Sequence, residues 1–584
     1  MNGEMGLYYR ENPEILYQVT TQGGGLKDLE SLRCKGWRQE TILRMLEFNM
    51  ENAEIPELLV IYGGNGKAAR NWESYWAIVD SLKNLEDDET LVIQSGMPVA
   101  IFKTHKEAPC VVMATTNIMQ ATWERFYDLQ DKNLTIFAQY TAAPWEYIGT
   151  QGVIEGTFET LSAIAMKKYN DSLAGKIYLT AGAGGMGANQ TWAMKMHGGV
   201  CIVVDASKQI LQKRIEKDYL DVIANSLEEA IVIAQDYAAR KVPMSIGIVG
   251  NAADVFEKVS KLEFQPDICS EMCPCHDPIS YIPSGYTPEE ADQLRIADRE
   301  KYLELARETM KRQLAAMIAL KAKGVEVFEY GTSIRKECMD AGFPREEAMK
   351  INGFVYEYIR PLFCEGRGPF RWTCLSRDPQ DLKVTEQIAL EVCKGDNLVE
   401  RWIKLASEHL PIEGMPARVC YMGFGQRKRF GLAINQAIRD GRIKGTVAFS
   451  RDNLDSGSIV NPTFESEKMP DGGDYISDWP YLNALLNCAA GCDLIAIQSN
   501  YSMGEAVHTG VTMIADGTEE ADRRLEATLT TDSGIGVVRH AQAGYAAAKE
   551  VANGHGNYTD ESIKIPLWWQ TADKVTFGPD GMYR

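Results

Sequence analysis

The stretch Lys176–Asp205, KIYLTAGAGGMGANQTWAMKMHGGVCIVVD, decides the fold. KIYLTA (176–181) reads as a buried strand, NQTWAMKM (189–196) as a helix and VCIVVD (200–205) as a second strand. Between the first strand and the helix lies Gly182-Ala183-Gly184-Gly185-Met186-Gly187, which satisfies G-x-G-x-x-G in the strand–turn–helix setting that the motif requires. Each glycine has a separate reason to be there. Gly182 permits the tight turn, Gly184 lets the backbone approach a pyrophosphate, and Gly187 allows the helix to pack close to the strand. The helix N-terminus adds unpaired N–H groups and the positive end of its dipole. Asp205 closes the second strand 18 residues after Gly187, where a carboxylate accepts hydrogen bonds from a ribose 2′-OH. That favours NAD over NADP.

Reading outward, helical patterning covers 207–240 and MSIGIV (244–249) is a third strand. It runs into Gly250-Asn251-Ala252 at the sheet edge, where an adenine or ribose would sit. Strand, helix, strand, helix, strand implies parallel pairing with right-handed crossovers. Thr287-Pro288-Glu289-Glu290 starts a helix that runs to about Gly324, with Thr287 as cap, Pro288 at the first position and Glu290 completing a capping box. On the N-terminal side, 33–50 is an amphipathic helix with Ile42, Leu43, Leu46 and Phe48 apolar, and LLVIY (58–62) is a strand. On the C-terminal side, RVCYM (418–422), TVAF (446–449) and LIAIQ (494–498) are strands. The fold class is α/β, divided into 1–140, 141–350 and 351–584, the middle part being a Rossmann-like nucleotide-binding domain.

Composition narrows the function. The chain has 584 residues, 45% of them hydrophobic and 24% charged, the balance of a globular protein of several domains. Its net charge of −20 disfavours a sequence-independent nucleic-acid binder, which works through clustered cations. No stretch has the ~18 uninterrupted apolar residues of a membrane span, and residues 1–30 show no apolar signal-peptide core. Thirteen scattered cysteines, an odd number, fit free thiols in a reducing cytoplasm. None of the seven histidines forms an H-x-x-x-H or H-E-x-x-H cluster, and there is no G-x-S-x-G nucleophile elbow, so hydrolase chemistry loses ground.

Several residues have two readings. Tyr62-Gly63-Gly64-Asn65-Gly66-Lys67 looks like a phosphate loop but lacks the spacing and the hydroxyl residue of an ATPase. Cys269, Cys273, Cys275 and His276 are four soft ligands in eight residues, yet the tight Cys-Pro-Cys spacing suits a tetrahedral metal poorly; a loop over the cofactor is the alternative. Cys420 is a ligand-facing thiol or a small buried hydrophobe. Arg371 is a carboxylate clamp or a surface ion pair. Asp452 and Asp455 are turn residues or the polar wall of a pocket.

Long segments of the chain resemble the urocanase (urocanate hydratase) family: RCKGWRQE (33–40), IYGGNGKAARNW (61–72), YIGTQG (147–152), LTAGAGGMG (179–187), GNAADV (250–255), YIRPLFC (358–364), GPFRW (368–372), LDSGS (454–458), SDWPYLNALLN (477–487) and RHAQAGY (539–545). The resemblance implies a homodimeric hydratase with the Rossmann-like domain inserted into an α/β core made by the N- and C-terminal regions. It also implies a tightly bound NAD+ whose nicotinamide ring acts as an electrophile toward the substrate imidazole rather than as a hydride acceptor. Carried over by position, cofactor contacts fall on Gly63, Gly64, Gln139, Gly182, Gly184, Gly185, Met186, Gly187, Asp205, Asn251, Ala252, His276, Tyr281, Ile282, Tyr330 and Gly504. Cys420 takes the place of the family's active-site cysteine, Arg371 of its carboxylate-binding arginine, Tyr62 of a tyrosine near the substrate and Asp455 of an aspartate that handles the imidazole.

The departures bear on the substrate. Where the family has a His-His-Gly-Gly-Gly run, this chain has Gln498-Ser499-Asn500-Tyr501-Ser502, with two residues deleted. Phe464, in Asn461-Pro462-Thr463-Phe464, stands where the family carries an arginine; Cys273–Cys275 replaces a Thr-Ser-Ala segment, and Ile210 replaces another arginine. With Tyr62, Arg371, Asp455, Phe464 and Gln498 as substrate contacts, the expectation is hydration of a modified urocanate, such as a thiourocanate or a methylated ring. Ordinary urocanate hydratase is the alternative, and an NAD-dependent dehydrogenase is a third reading.

Overall fold

The computed structural model describes residues 32–567 except 411, 413, 500–502 and 560, so residues 1–30, read above for a leader, lie outside it. The chain builds two sheets. The first is seven-stranded and wholly parallel, in the order Asn352–Gly353, Glu326–Glu329, Ile268–Cys269, Ile177–Ala181, Val200–Asp205, Met244–Val249, Val222–Ala224. The second has nine strands and draws on both ends of the chain. Glu89–Gln94, Met97–Lys103 and Val111–Thr115 come from the N-terminal region, and Val111–Thr115 pairs in parallel with Leu494–Gln498 from the C-terminal region. From there Val507–Ala515, Val447–Arg451, Phe370–Cys374 and Ala417–Cys420 continue antiparallel. The Rossmann-like unit is therefore inserted into an α/β core closed by the two ends of the chain.

Gln151–Lys168 joins the two units. Residues 154–162 of this helix are all buried, and Ile154, Phe158, Leu161 and Ile164 share one apolar cluster with Tyr178 and Phe328 of the first sheet and Phe370 and Trp372 of the second. A helix covered on every side is a core element rather than an amphipathic surface one.

The structure revises three local readings. The 207–240 region is two helices, Lys208–Glu216 and Leu227–Arg240, capped by Ser207 and Ser226, and between them Val222–Ala224 forms the outermost strand. Met244–Val249 is consequently one strand in from the edge. The helix that begins with the Thr287 capping box stops at Ala297; Asp298 breaks it and caps a second helix, Arg299–Ala322, by accepting from the Lys301 N–H. In 58–62 only Val60–Tyr62 is strand, because Leu59 takes a left-handed conformation (φ 60°). Among the described residues no helix is long and apolar enough to cross a membrane.

The glycine turn divides into parts. Gly182 has φ +84°, and a Cβ on it would collide with the Met272 carbonyl; a Cβ on Gly187 would collide with the Gly182 carbonyl. Around Gly184 nothing lies within 4 Å of a Cβ position. The outer glycines are thus filled by the protein's own backbone and the middle one faces open space. Gly187→Ala is expected to lower stability by about 1–3 kcal/mol through overpacking, and Gly184→Ala to stay within ~0.5 kcal/mol of the parent. Thermal melts of the two variants check this, and equal melts would contradict the packing argument.

Candidate functional site

A cavity of about 350 Å³ opens between the parallel sheet and the core. One wall comes from the carboxyl ends of the parallel strands: Gly182, Gly184, Gly185, Met186 and Gly187 of the turn, Asp205, and Asn251 and Ala252. This is where an open parallel sheet receives ligands. Asp205 is oriented by two backbone donors, Ala183 N–H at 2.7 Å and Ser207 N–H at 2.8 Å, one on each carboxylate oxygen. Asn251 caps the next helix through the Ala253 N–H and donates from Nδ2 to the Ile282 carbonyl, which ties Ile282 to the same wall. Ile210 lies on the wall as well.

A second group reaches across from other elements: Gly63, Gly64, Gln139, His276 and Tyr281. A Cβ on Gly63 would press on the Gln139 side chain, which in turn lies 3.3 Å from His276 Nε2. Burial pushes the His276 pKa down to about 4, so the ring is neutral at physiological pH. Gln139 Oε1 is buried without a protein partner. Cys273 is also on the wall, with its thiol held up by burial and by Glu271, and it accepts from Gln313. Among the described residues no three His, Cys, Asp or Glu side chains are grouped to hold a metal.

The third part is aromatic. Tyr62, Tyr140, Tyr330, Phe354, Tyr421 and Phe464 line it, with Asp452 as its acidic side chain. Phe354 packs against Tyr330 at 4.5 Å and against Phe464 at 5.1 Å. Tyr62 stacks on Tyr147 at 4.6 Å, and its hydroxyl accepts from the Thr141 N–H. Burial and the nearby Asp452 raise the Tyr62 pKa, so it remains a phenol. Asp452 is ion-paired with Arg371, which is 3% exposed and also donates to the Glu146 carbonyl at 3.2 Å. Gly152 lies on the wall directly over this pair: a Cβ there would sit 3.0 Å from Arg371 Nη2.

Fifteen of the sixteen expected cofactor positions line the one cavity; Gly504 does not, and a Cβ on it would meet Ala121. Four other expected site residues do not line the cavity wall. Cys420 is fully buried in the apolar cluster, paired with Phe370 in the sheet, and its thiol is pushed well up by burial and by Glu155. The residue after it, Tyr421, reaches the cavity instead. Asp455 is off the wall, gripped by both Arg427 Nη atoms at 2.8 Å. Arg371 is neither on the wall nor at the surface but behind Gly152 and Asp452. Gln498 lies behind the wall, donating to the carbonyl of Tyr140, which is on it; residues 500–502 lie outside the described residues. The sequence reading missed Tyr140, Phe354 and Tyr421; for Tyr421 its place beside Cys420 was a signal, and for Phe354 there was none.

Three family models match the chain: the urocanase N-terminal domain over residues 26–146, the urocanase Rossmann-like domain over 149–358 and the urocanase C-terminal domain over 361–554.

Asp455→Ala would leave Arg427 buried beside an empty position. Breaking a buried ion pair by removing one partner costs on the order of 3–5 kcal/mol, so this variant should show a sharply lowered melting temperature. An unchanged melt with lost activity would return Asp455 to a direct chemical role.

Proposed function

Because the chain belongs to the urocanase family, whose activity is of the urocanate hydratase type, we propose that it is an NAD+-dependent hydratase of a ring-modified urocanate. The candidate substrates are a thiourocanate or a methylated derivative, and the product is of the imidazolone propionate type. The observation that carries the substrate reading is Phe464. It stands where the resemblance puts an arginine, is 1% exposed and packs on Phe354 to complete the aromatic wall. An apolar wall of this kind favours a substituted ring over one that needs a charged partner.

The residues present suit NAD+. Gly184 leaves room for a pyrophosphate against the backbone, Asp205 is oriented for ribose hydroxyls, and the unpaired Gln139 Oε1 offers an acceptor to a donor on the ligand. When bound, NAD+ supplies an electron-poor pyridinium that draws density from the imidazole and opens it to water. The chain's own residues do the rest. The aromatic wall orients the ring and limits access of bulk water. Arg371, reached over Gly152, receives the acrylate carboxylate. Asp452 takes the proton of the attacking water and returns it to a carbon of the acrylate side chain as that double bond is saturated, and Tyr62, as a phenol, donates a hydrogen bond. One water is added and nothing is oxidised. Cys420 acts by packing behind Tyr421.

Two further features support the reading of a cytoplasmic homodimer. All thirteen cysteines are free, which fits a reducing compartment. The helix Asp478–Ala490 exposes Tyr481, Leu482, Leu485 and Leu486, the last two 65% and 38% exposed, a contiguous apolar face that a second copy would cover.

The activity is tested with urocanate, thiourocanate and N- or S-methylated analogues, following loss of the acrylate absorbance with the 340 nm signal recorded in parallel. A ring-substituted substrate should be consumed fastest with no gain at 340 nm; faster turnover of plain urocanate than of every analogue, or accumulation of NADH, would defeat the proposal. Arg371→Ala should raise KM by tenfold or more, since an unpaired buried charge costs about 1–3 kcal/mol. Leu485→Asp should convert the dimer to monomers in analytical ultracentrifugation.

A further inference from the structure

Away from the cavity, two buried arginines, Arg539 and Arg360, make no ion pair with a carboxylate among the described residues. Arg539, on the helix Glu519–Ala543, is 4% exposed, and Arg360, at the start of Arg360–Cys364, is 3% exposed. Arg539 Nη1 donates to the Ile459 carbonyl. Arg360 Nη2 donates to the carbonyls of Glu465 at 2.8 Å and Glu467 at 3.3 Å, while its Nη1 faces the Met469 sulfur. Among the described residues, Arg539 Nε and Nη2, and Arg360 Nε, have no partner.

The identity of the unpaired atoms matters. Nε and Nη2 form one edge of the guanidinium, whose two parallel N–H bonds fit an anion face-on. On Arg539 that whole edge is vacant and sealed from solvent.

The nearby acids do not fill it. Glu465 accepts from the Tyr140 hydroxyl, and burial holds its carboxyl well above the usual range. Asp471 accepts from the Gly473 N–H, and the two oxygens of Asp474 accept from the Lys468 and Met469 N–H groups. His540, the next residue on the helix, is kept neutral by burial and bonds the Gly536 carbonyl. Arg539 itself stays charged at neutral pH, its pKa brought down to about 9. Asp471, Glu465 and Asp474 act on Arg539 only at a distance, and a buried cation with no carboxylate in hydrogen-bond contact is a costly arrangement.

We propose that Arg539 and Arg360 form a buried binding site for one small anion, a halide or a carboxylate, between the 459–471 segment and the helix Glu519–Ala543. Both guanidinium groups already hold carbonyls of the segment that carries Phe464 to the cavity, so the anion would brace that wall. The proposal stands on these residues alone and is independent of the substrate reading.

The test uses the full-length protein, exchanged into buffer free of halides and carboxylates and melted across series of chloride, bromide and formate. A bulky sulfonate at equal ionic strength is the control. The melting temperature should rise with at least one small anion, following the logarithm of concentration once the site fills, and should not rise with the sulfonate. Arg539→Gln should lose that dependence. Wild-type crystals grown in bromide should show an anomalous peak within hydrogen-bond distance of Arg539 Nε and Nη2; planar density in formate with no bromide peak would identify a carboxylate as the ligand. Melts indistinguishable from the sulfonate control, or a site holding only water in both crystals, would overturn the proposal. The crystals need no variant, so a failure of Arg539→Gln to fold leaves the test intact.

Discussion

A charge sealed from water has to be answered inside the protein, and the floor of the cavity is built on that requirement. Arg427 and Arg451 are fully buried, and so are Asp455 and Asp532 beside them. Arg427 holds Asp455 with two bonds, and Arg451 donates to both oxygens of Asp532. Arg451 closes a strand of the mixed sheet, and the turn after it carries Asp452, Leu454 and Asp455. With Asp455 pinned inward, Asp452 and Leu454 are left on the side that faces the cavity. The acid left on the wall is thus set by the acid held off it.

This explains where the sequence could be read and where it could not. The turn 182–187 was legible because its requirements are local: strand, glycines, helix and acid all fall within thirty residues, and each glycine has a steric reason visible at short range. The capping box at Thr287 was legible for the same reason. The choice between Asp452 and Asp455 was not, since it depends on Arg427, 28 residues away and on another element. Cys420 shows the same limit. The strand Ala417–Cys420 ends at Cys420, and Tyr421 just past it is held by the buried helix Gln151–Lys168, where Glu155 accepts from the Tyr421 N–H. Val222–Ala224 was missed because three residues between two helices carry too little pattern to announce a strand.

The cavity is a composite, and that governs what each unit contributes. The parallel sheet alone offers a nucleotide cradle common to many activities, so it says little about the reaction. The aromatic wall, with Tyr62, Tyr421 and Phe464 drawn from both ends of the chain, is what distinguishes this site. The mixed sheet makes the convergence possible by pairing Val111–Thr115 with Leu494–Gln498 in parallel, which holds the two ends in register some 380 residues apart.

The electrostatics of the cavity then set its selectivity. Its wall carries the acids Glu54, Asp205 and Asp452 and no lysine or arginine among the described residues, yet both proposed ligands are anionic. Attraction has to come from backbone N–H groups at the glycine turn and from Arg371 behind Gly152. A backbone donor is fixed in direction and short in reach, so it recognises a phosphate seated against the turn and ignores one elsewhere. Arg371 is already paired with Asp452, so only an anion that brings its own contacts with the aromatic wall gains enough to share that guanidinium. In a chain of net charge −20, where long-range attraction of anions is weak, selection under the proposed function would rest on these short contacts and on the fit of the ring against Phe464 and Phe354.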